Sequence, residues 1–248
     1  MIIRARSSIT PPGCAKNKRS TEVPMLTLLK NADLYTPEHL GVRDVLLCGG
    51  KIARIAPALP EYGALPDVTV YDAQGARVIP GLIDLHIHIT GGGGEQGAPS
   101  RVPEIMLSQL TENGVTTVLG LLGTDGYTRS VENLLYKANA LTAEGITCYL
   151  LTGSYQYPSP SLTGSVARDI MMLTPCVGVK VALSDHRSSN LTPDELVRLA
   201  SDARVAGLLS GKAGLVVLHM GSGKNRMEYI LRAVDETDIP VRTFLQTH

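Results

Sequence analysis

The sequence has no excess of charge of either sign. It holds 23 basic and 23 acidic residues among 248, so its formal net charge at pH 7 is zero. Proteins that bind nucleic acid or an anionic membrane surface usually carry a basic patch or tail. We therefore expect no nucleic-acid partner and no membrane partner. The sequence also lacks an apolar run near the length of about 20 residues that crosses a bilayer.

Cysteine is scarce as well. The four cysteines are scattered and form no CxxC motif: Cys14, Cys48, Cys148 and Cys176. Disulfide scaffolds and zinc knots need closely spaced cysteines. We expect each cysteine to lie in the core or on the surface, and we expect a reducing, cytoplasmic compartment.

Composition divides the chain into three parts. Residues 1–24 carry five basic residues and one acidic residue, and we interpret them as a disordered extension or, alternatively, an organellar targeting peptide. Residues 25–77 contain short alternating apolar and polar segments and the predicted hairpin turn "CGGKI", which indicates part of a small β-sandwich domain. Residues 78–248 alternate strand and helix patterns.

The alternating part predicts an α/β fold with a parallel sheet. Its six strand candidates are "LIDLHIHI", "VTTVLGLL", "ITCYLLTG", "CVGVKVALS", "GLVVLHMG" and "PVRTFLQTH". One helix candidate, "SRVPEIMLSQLTENG", ends at Gly114, and another is "NRMEYILRAVDETD". In "TPDELVRLASDARVAG", Thr192, Pro193 and Glu195 form an N-terminal capping box.

The first strand candidate ends in a His-x-His pair. Alternate side chains of a strand point to the same face, so His86 and His88 share a face with Asp84. Two imidazoles at this spacing can bind one cation. A structural or accidental origin of the pair is the alternative interpretation.

The fourth strand candidate holds a lysine among small and apolar residues. Lysine is rarely buried without a partner. Gly178, Ala182 and Ser184 share the face of Lys180 and leave room around its amine, whereas Val177 is expected on the opposite face. Burial would lower the pKa of Lys180 and favour its neutral, nucleophilic form. The alternative is a lysine that extends from the strand end to solvent.

His219 and His248 lie near the ends of the fifth and sixth strand candidates. In a barrel of parallel strands, the carboxyl ends converge and form the active site. Ligands that are distant in sequence then meet. The series therefore favours a barrel over an open sheet and predicts a metal site.

This series resembles the binuclear metal-dependent amidohydrolase superfamily, and within it the isoaspartyl dipeptidase (β-aspartyl peptidase) family. The motifs that carry the resemblance are "GLIDLHIHITGGGGEQG", "LTENGVTTVLGLLGTDG", "LTGSYQYPSPSLTGSV" and "GVKVALSDHRS". The resemblance implies hydrolysis of isoaspartyl dipeptides by a hydroxide that bridges two divalent metal ions, with zinc as the expected metal. The implied metal ligands are His86, His88, Lys180 as a carbamate, His219 and His248.

The resemblance also implies the substrate contacts. Glu95 would bind the α-amino group of the dipeptide. Thr124 and Arg187 would help to hold the substrate, Arg187 by a charge-assisted bond to its carboxylate. Tyr155 would polarise the scissile carbonyl. Alternatively, Glu95 and Arg187 are solvated loop charges and Tyr155 is a packing aromatic.

The sequence departs from the family pattern after the sixth strand. The family's metal-binding aspartate, which also serves as general base, comes from the eighth strand, and the sequence ends at His248. We therefore expect an incomplete (β/α)8 TIM-type barrel, truncated after the sixth strand, and impaired or absent activity. A full-length family member is expected to be a homo-oligomer. Two alternatives are a cyclic-amide hydrolase of the dihydroorotase or hydantoinase type and a non-catalytic scaffold protein.

Overall fold

A computed structural model of the chain describes residues 2–3 and 25–247. The rest of the predicted extension 1–24, with Cys14, and the candidate ligand His248 lie outside the described residues. Contacts divide the chain into two compact units, Met1–Gly81 and Leu82–His248. The domain boundary predicted between residues 77 and 78 stays a prediction.

The first unit is built on a mixed sheet of six strands. These are β1 (Ile2–Ile3), β2 (Leu26–Tyr35), β3 (His39–Cys48), β4 (Lys51–Ala56), β5 (Val68–Asp72) and β6 (Arg77–Ile79), with helix α1 (Pro60–Gly63) between β4 and β5. Their order is β1-β6-β2-β3-β4, and β5 pairs with β2. Gly49 and Gly50 turn the chain from β3 to β4 with φ angles of 54° and 77°, as a two-residue hairpin turn requires. This confirms the predicted "CGGKI" turn.

The second unit is a parallel sheet of six strands that curls into half a barrel. The strands are β7 (Leu82–Ile87), β8 (Val115–Gly120), β9 (Thr147–Gly153), β10 (Cys176–Ala182), β11 (Leu215–His219) and β12 (Phe244–Thr247). They lie side by side in chain order. The α/β class and the incomplete TIM-type barrel are confirmed, and each strand candidate contains one observed strand.

Helices connect the strands of this sheet. They are α2 (Leu107–Thr111), α3 (Val131–Ala143), α4 (Val166–Met172), α5 (Pro193–Ser210) and α6 (Glu228–Glu236), and short 3-10 helices span Ala98–Ser100 and Val241–Thr243. The capping box of α5 is confirmed, because the Thr192 hydroxyl accepts from the Glu195 N–H while the Glu195 carboxylate accepts from the Thr192 N–H. None of the helices in the described part of the chain has both the length and the apolar character needed to cross a bilayer.

The first helix candidate and the sixth strand candidate are much shorter in the structure. Helix α2 covers only five residues of its candidate, because Val102 N–H donates to the Gly92 carbonyl at 2.8 Å and Ile105 N–H donates to the Ile89 carbonyl at 3.2 Å. The segment before α2 thus pairs with an earlier loop instead of forming helical turns. The 3-10 helix Val241–Thr243 takes the place of the first part of the sixth strand candidate, so that β12 begins only at Phe244.

Apolar side chains form two layers on the parallel sheet. The outer layer packs strand residues such as Val118, Val179 and Val216 against helix residues such as Leu134 and Leu196. The inner layer contains no helix residue among those described and is formed by strand residues and by Leu121, which follows β8. Its members are Leu119, Leu121, Leu151 and Val217, with Val177, Leu215 and Leu245 packed against them. Val177 was expected on the face of β10 opposite Lys180, and this prediction is wrong, because Val177 belongs to the inner layer. The β10 pairing with β9 shifts register between Cys176 and Gly178, and such a bulge reverses the alternation of faces.

The described cysteines behave as predicted. Cys148 and Cys176 are buried and Cys48 is exposed, and all three are free thiols. Burial raises the pKa of both buried thiols to about 11. These two cysteines are therefore protonated packing residues at neutral pH.

Candidate active site

The His-x-His pair lies at the carboxyl end of β7. The rings of His86 and His88 are 5.8 Å apart and nearly perpendicular. Asp84 accepts from the His86 backbone N–H at 2.9 Å. His88 Nδ1 lies 3.2 Å from the Leu121 carbonyl oxygen, and a carbonyl can only accept. Nδ1 therefore carries the proton, and the lone pair of a neutral ring is left on Nε2, as in a metal-ligating histidine.

Lys180 lies inside the half-barrel and is fully buried. Its register neighbours are Gly153 on β9 and Val217 on β11. Its ammonium nitrogen lies 3.5 Å from the Thr247 hydroxyl and 5.7 Å from the centre of the Tyr155 ring. Burial lowers the pKa of Lys180 from 10.5 to about 7. The structure thus has a buried lysine at this position, and not one that reaches solvent.

His219 is the last residue of β11 and is buried. Its Nδ1 lies 2.7 Å from the Tyr155 hydroxyl, and its Nε2 lies 3.0 Å from Asp185 Oδ2 and 3.0 Å from Arg187 Nη2. Burial lowers the pKa of His219, and the Asp185 carboxylate opposes that effect. Both ring nitrogens are therefore engaged, so a metal ion at His219 would have to displace one of these contacts.

The proposed donor types suit a divalent metal, but the donors within the described part of the chain are not grouped closely enough to form a metal cage. Among residues 2–3 and 25–247, no three side chains of the types His, Cys, Asp or Glu lie close enough together to hold a metal ion. Neutral imidazoles and a carbamate oxygen are ligand types that zinc accepts. The buried amine of Lys180 and the Nδ1–H tautomer of His88 agree with such a site.

The predicted substrate residues meet at one cluster. Glu95 Oε1 accepts from the Thr124 hydroxyl at 2.6 Å and from Arg187 Nη1 at 2.8 Å. Thr124 follows β8 and Arg187 follows β10, so three loops bring this cluster together. The Thr124 hydroxyl lowers the pKa of Glu95, and Arg187 lowers it further. Glu95 is therefore an ionised carboxylate at neutral pH.

Tyr155 lies between this cluster and Lys180. Its side chain is buried, and its backbone is fixed because Tyr155 N–H donates to the Gly123 carbonyl and Ala182 N–H donates to the Tyr155 carbonyl. The Arg187 guanidinium lies 5.3 Å from the ring centre. Burial raises the pKa of Tyr155 to about 12, so the phenol stays protonated and can donate a hydrogen bond.

Asp185 was not predicted as a site residue, although its carboxylate contacts both Arg187 and His219. Its Oδ1 accepts from Arg187 Nε at 2.7 Å and its Oδ2 accepts from Arg187 Nη2 at 2.8 Å. The Arg187 side chain is the largest cause of a strongly lowered pKa at Asp185. An aspartate shortly after the fourth strand candidate and two residues before an arginine is the sequence signal that could have identified the pair.

Glycines leave the space that this carboxylate and the histidine rings occupy. A Cβ at Gly221 would lie 2.1 Å from Asp185 Oδ2, and a Cβ at Gly123 would lie 2.9 Å from His88 Cε1. Contacts that short are not compatible with a side chain. The loops after β8 and β11 therefore need glycine where they pass the site.

Solved structures with a similar fold share much of this sequence. The chain is 45% identical to a β-aspartyl dipeptidase from Fervidobacterium islandicum AW-1, with a TM-score of 0.86 over 90% of this chain and 61% of that one. A complex of that organism's β-aspartyl dipeptidase with the dipeptide β-Asp-Leu gives 44% identity and a TM-score of 0.87 over 92% of this chain and 59% of that one. The chain thus spans less than two thirds of either structure.

Other relatives cover smaller parts or share the fold alone. A dihydroorotase from Halalkalibacterium halodurans is 32% identical over 123 residues, which are 49% of this chain and 27% of that protein. A D-hydantoinase structure with 18% identity has a TM-score of 0.55 and shows the fold alone. The model of the amidohydrolase family matches residues 77–242, which are more than half of the sequence, and the chain therefore belongs to the amidohydrolase family.

Proposed function

We propose that this chain provides the metal-binding and substrate-binding face of a metal-dependent isoaspartyl dipeptidase. The observation that carries the proposal is the cluster of Glu95, Thr124 and Arg187 beside the Tyr155 phenol and above a buried Lys180. An ionised carboxylate and a guanidinium in contact offer complementary sites for the ammonium and carboxylate groups of a dipeptide. The β-Asp-Leu complex of the related dipeptidase supports this substrate class.

The Glu95–Arg187 ion pair, 2.8 Å long, occupies the place of these two substrate groups. A bound zwitterionic dipeptide would give Glu95 an ammonium partner and Arg187 a carboxylate partner. Each side chain would thus replace its contact with the other by a contact with the substrate. Asp185 keeps its two bonds to Arg187 during this exchange. The guanidinium therefore stays in place while its Nη1 is released.

Tyr155 supplies a neutral donor to the scissile carbonyl. The phenol keeps its proton because burial raises the pKa of Tyr155 to about 12. A donor that is already fixed before the reaction costs no reorganisation when negative charge develops on the carbonyl oxygen. Tyr155 thus needs only to exchange its contact with His219 for the substrate oxygen.

Two divalent metal ions, with zinc as the expected identity, would be held by His86, His88, Lys180 as a carbamate, His219 and His248. A bound divalent metal lowers the pKa of water to about 7 and so supplies a nucleophile at neutral pH. Lys180 suits the carbamate role because its amine, with a pKa of about 7, is largely neutral at mildly alkaline pH. A neutral amine is the form that adds to carbon dioxide to give a carbamate.

The test is hydrolysis of β-Asp-Leu by the product of the complete reading frame in which these residues lie. We expect release of aspartate and leucine with zinc and bicarbonate, loss of the activity with a chelator, and no cleavage of α-Asp-Leu. Equal cleavage of the two dipeptides would contradict the assignment, because an isoaspartyl dipeptidase is defined by its preference for the β-linkage. We also propose a cytoplasmic location and a homo-oligomeric enzyme, which cell fractionation and sedimentation test.

A cyclic-amide hydrolase is the second candidate function. The observation that favours it is the 32% identity with a dihydroorotase, which extends over 123 residues. A cyclic amide such as dihydroorotate has no free α-amino group for Glu95 to bind. Hydrolysis of dihydroorotate, but not of β-Asp-Leu, would therefore favour this candidate.

A further inference from the structure

Arg129 is a buried arginine that the candidate active site leaves unexplained. Its side chain is 6% exposed. Its Nε donates to the Thr90 carbonyl at 3.0 Å, and its Nη2 donates to the carbonyls of Gly92 at 3.1 Å and Val102 at 3.0 Å. Its Nη1 donates to Asp125 Oδ2 at 3.2 Å. One guanidinium thus joins both sides of the glycine-rich loop to the loop after β8.

A buried guanidinium is costly to desolvate unless its donors are satisfied. Arg129 meets this condition with three carbonyl acceptors and one carboxylate. Asp125 is itself fixed, because its Oδ1 accepts from the backbone N–H groups of Tyr127 and Thr128. The planar fork of arginine can reach several acceptors in one geometry, which a lysine ammonium cannot reproduce.

The glycine run gives the loop the backbone shape that exposes these carbonyls. Gly91 and Gly93 have φ angles of 84° and 65°. A Cβ at Gly91 would lie 2.1 Å from the Val102 carbonyl oxygen, and a Cβ at Gly93 would lie 2.5 Å from the Ser100 carbonyl oxygen. The loop therefore folds tightly onto residues 100–103, and Arg129 bonds to the two segments where they meet.

The same loop carries Glu95, and the same partner loop carries Thr124. Glu95 comes three residues after Gly92, and Thr124 comes directly before Asp125. The two side chains are 2.6 Å apart. A cavity of about 50 Å³ lies among these residues and is lined by both Arg129 and Tyr155. Movement of either loop backbone would change the Glu95–Thr124 distance.

We propose that Arg129, with Asp125, is a positioning residue that sets the place of Glu95 by fixing the glycine-rich loop against the loop after β8. The guanidinium itself does not bond to Glu95; it acts through the carbonyls of Gly92 and Val102. The consequence for substrate recognition rests on the proposed function, in which Glu95 binds the α-amino group. The loop-fixing role does not depend on that function.

The first experiment measures the loop directly by hydrogen exchange. Arg129→Lys and Asp125→Asn are compared with the wild type, and Arg232→Lys, on an exposed ion pair of α6, is the matched control. We expect amides in residues 90–103 to exchange about 10- to 100-fold faster in both site variants, with β10 and β11 unchanged. Unchanged exchange at 90–103 in both site variants would overturn the proposal.

The second experiment separates positioning of Glu95 from a general loss of structure. N-succinyl-leucine is β-Asp-Leu without its α-amino group, so the ratio of kcat/KM for the two compounds reports on the ammonium contact. We expect Arg129→Lys to lower the ratio of kcat/KM for β-Asp-Leu to kcat/KM for N-succinyl-leucine about tenfold or more, and we expect Glu95→Gln to lower it similarly. The effect should appear mainly in KM for β-Asp-Leu, and Arg232→Lys should leave the ratio unchanged.

The outcomes are distinct. A similar loss of kcat/KM for both compounds in Arg129→Lys would show that Arg129 supports the fold without positioning Glu95, which overturns the positioning role. If the wild-type product of the complete reading frame cleaves neither compound, the proposed function fails. In that case, hydrogen exchange at residues 90–103 still decides whether Arg129 fixes the loop.

Discussion

The Tyr155 hydroxyl lies 2.7 Å from Nδ1 of His219, and the two rings stack with their centres 4.5 Å apart. The residues are 64 positions apart in the chain and come from the loop after β9 and the end of β11. This contact joins the proposed carbonyl-polarising group to a proposed metal ligand. Substrate binding therefore has to exchange a hydrogen bond at this point.

Replacing Tyr155 with phenylalanine removes the hydroxyl and keeps the ring. We expect kcat for β-Asp-Leu to fall about 100- to 1,000-fold, as for loss of one donor to a developing oxyanion, with a smaller change in KM. Loss of the buried bond to His219 should lower the free energy of unfolding by about 1 kcal/mol.

The control for this variant is Tyr136→Phe on α3, where the side chain is 79% exposed. Steady-state kinetics and urea unfolding of both variants provide the measurements. A kcat for Tyr155→Phe within about tenfold of the wild type would show that another group polarises the carbonyl.

Lys180 predicts a specific dependence of stability on pH in the metal-free, carbonate-free protein. Its pKa is about 7 in the fold and 10.5 for an unperturbed lysine. Between these values the unfolded chain binds the proton and the folded chain does not, so stability rises with pH across this window. A single group gives a slope of at most about 1.4 kcal/mol per pH unit, and below pH 7 its full cost is present.

The measurement is urea unfolding from pH 7 to pH 10 in the presence of a chelator. Methionine has a similar size to lysine and no charge. The free energy of unfolding of Lys180→Met should therefore not show the increase with pH that Lys180 causes, and near pH 7 it should exceed that of the wild type. Lys137→Met, which removes a lysine paired with Glu104, is the comparison. Parallel pH profiles for wild type and Lys180→Met would contradict a buried amine with a lowered pKa.

The sequence predicts the strands and the strand-borne site residues because both follow from local patterns. His86, Lys180 and His219 lie within strands whose alternation is visible in the sequence, and His88 directly follows the first of them. A parallel sheet in chain order then brings them to one side. The substrate-binding roles predicted for Glu95, Thr124 and Arg187 rest on the resemblance, because no local pattern links positions so far apart.

Contacts made by loops and irregular backbone could not be predicted in this way. The reversed face of Val177 results from a bulge, and alternation has no signal for one. Arg129 bonds to the Gly92 carbonyl of another loop, and Asp185 contacts His219 at the end of another strand, so their partners depend on the tertiary fold. The short α2 has the same cause, since Val102 pairs with Gly92.

Removing the carboxylate of Asp169, a residue of α4, is expected to cause a large loss of stability. This fully buried carboxylate accepts from Leu162 N–H at 2.9 Å, from Thr163 N–H at 2.8 Å and from two threonine hydroxyls, one of them Thr152. It thus anchors the loop that carries Tyr155 to the end of β9. We expect Asp169→Ala to lower the free energy of unfolding by about 3 kcal/mol or more.

Asp202→Ala on the exposed face of α5 serves as the comparison and should change stability by less than about 0.5 kcal/mol. Urea unfolding gives both values. If Asp169→Ala cost less than about 1 kcal/mol, the loop after β9 would be held by its other contacts, and the role assigned to this carboxylate would be wrong.

Gly123 tests the metal site without changing any proposed ligand. A Cβ at this position would lie 2.9 Å from His88 Cε1, so Gly123→Ala has to rotate the His88 ring and weaken its bond to the Leu121 carbonyl. Contacts that orient a ligating histidine typically change metal affinity about 10- to 100-fold. We expect a loss of zinc affinity in this range, measured by competition with a chelator.

The control is Gly63→Ala, where the nearest atom to the new Cβ is 3.6 Å away; it should bind zinc like the wild type. Unchanged affinity in Gly123→Ala would mean that His88 is not a ligand.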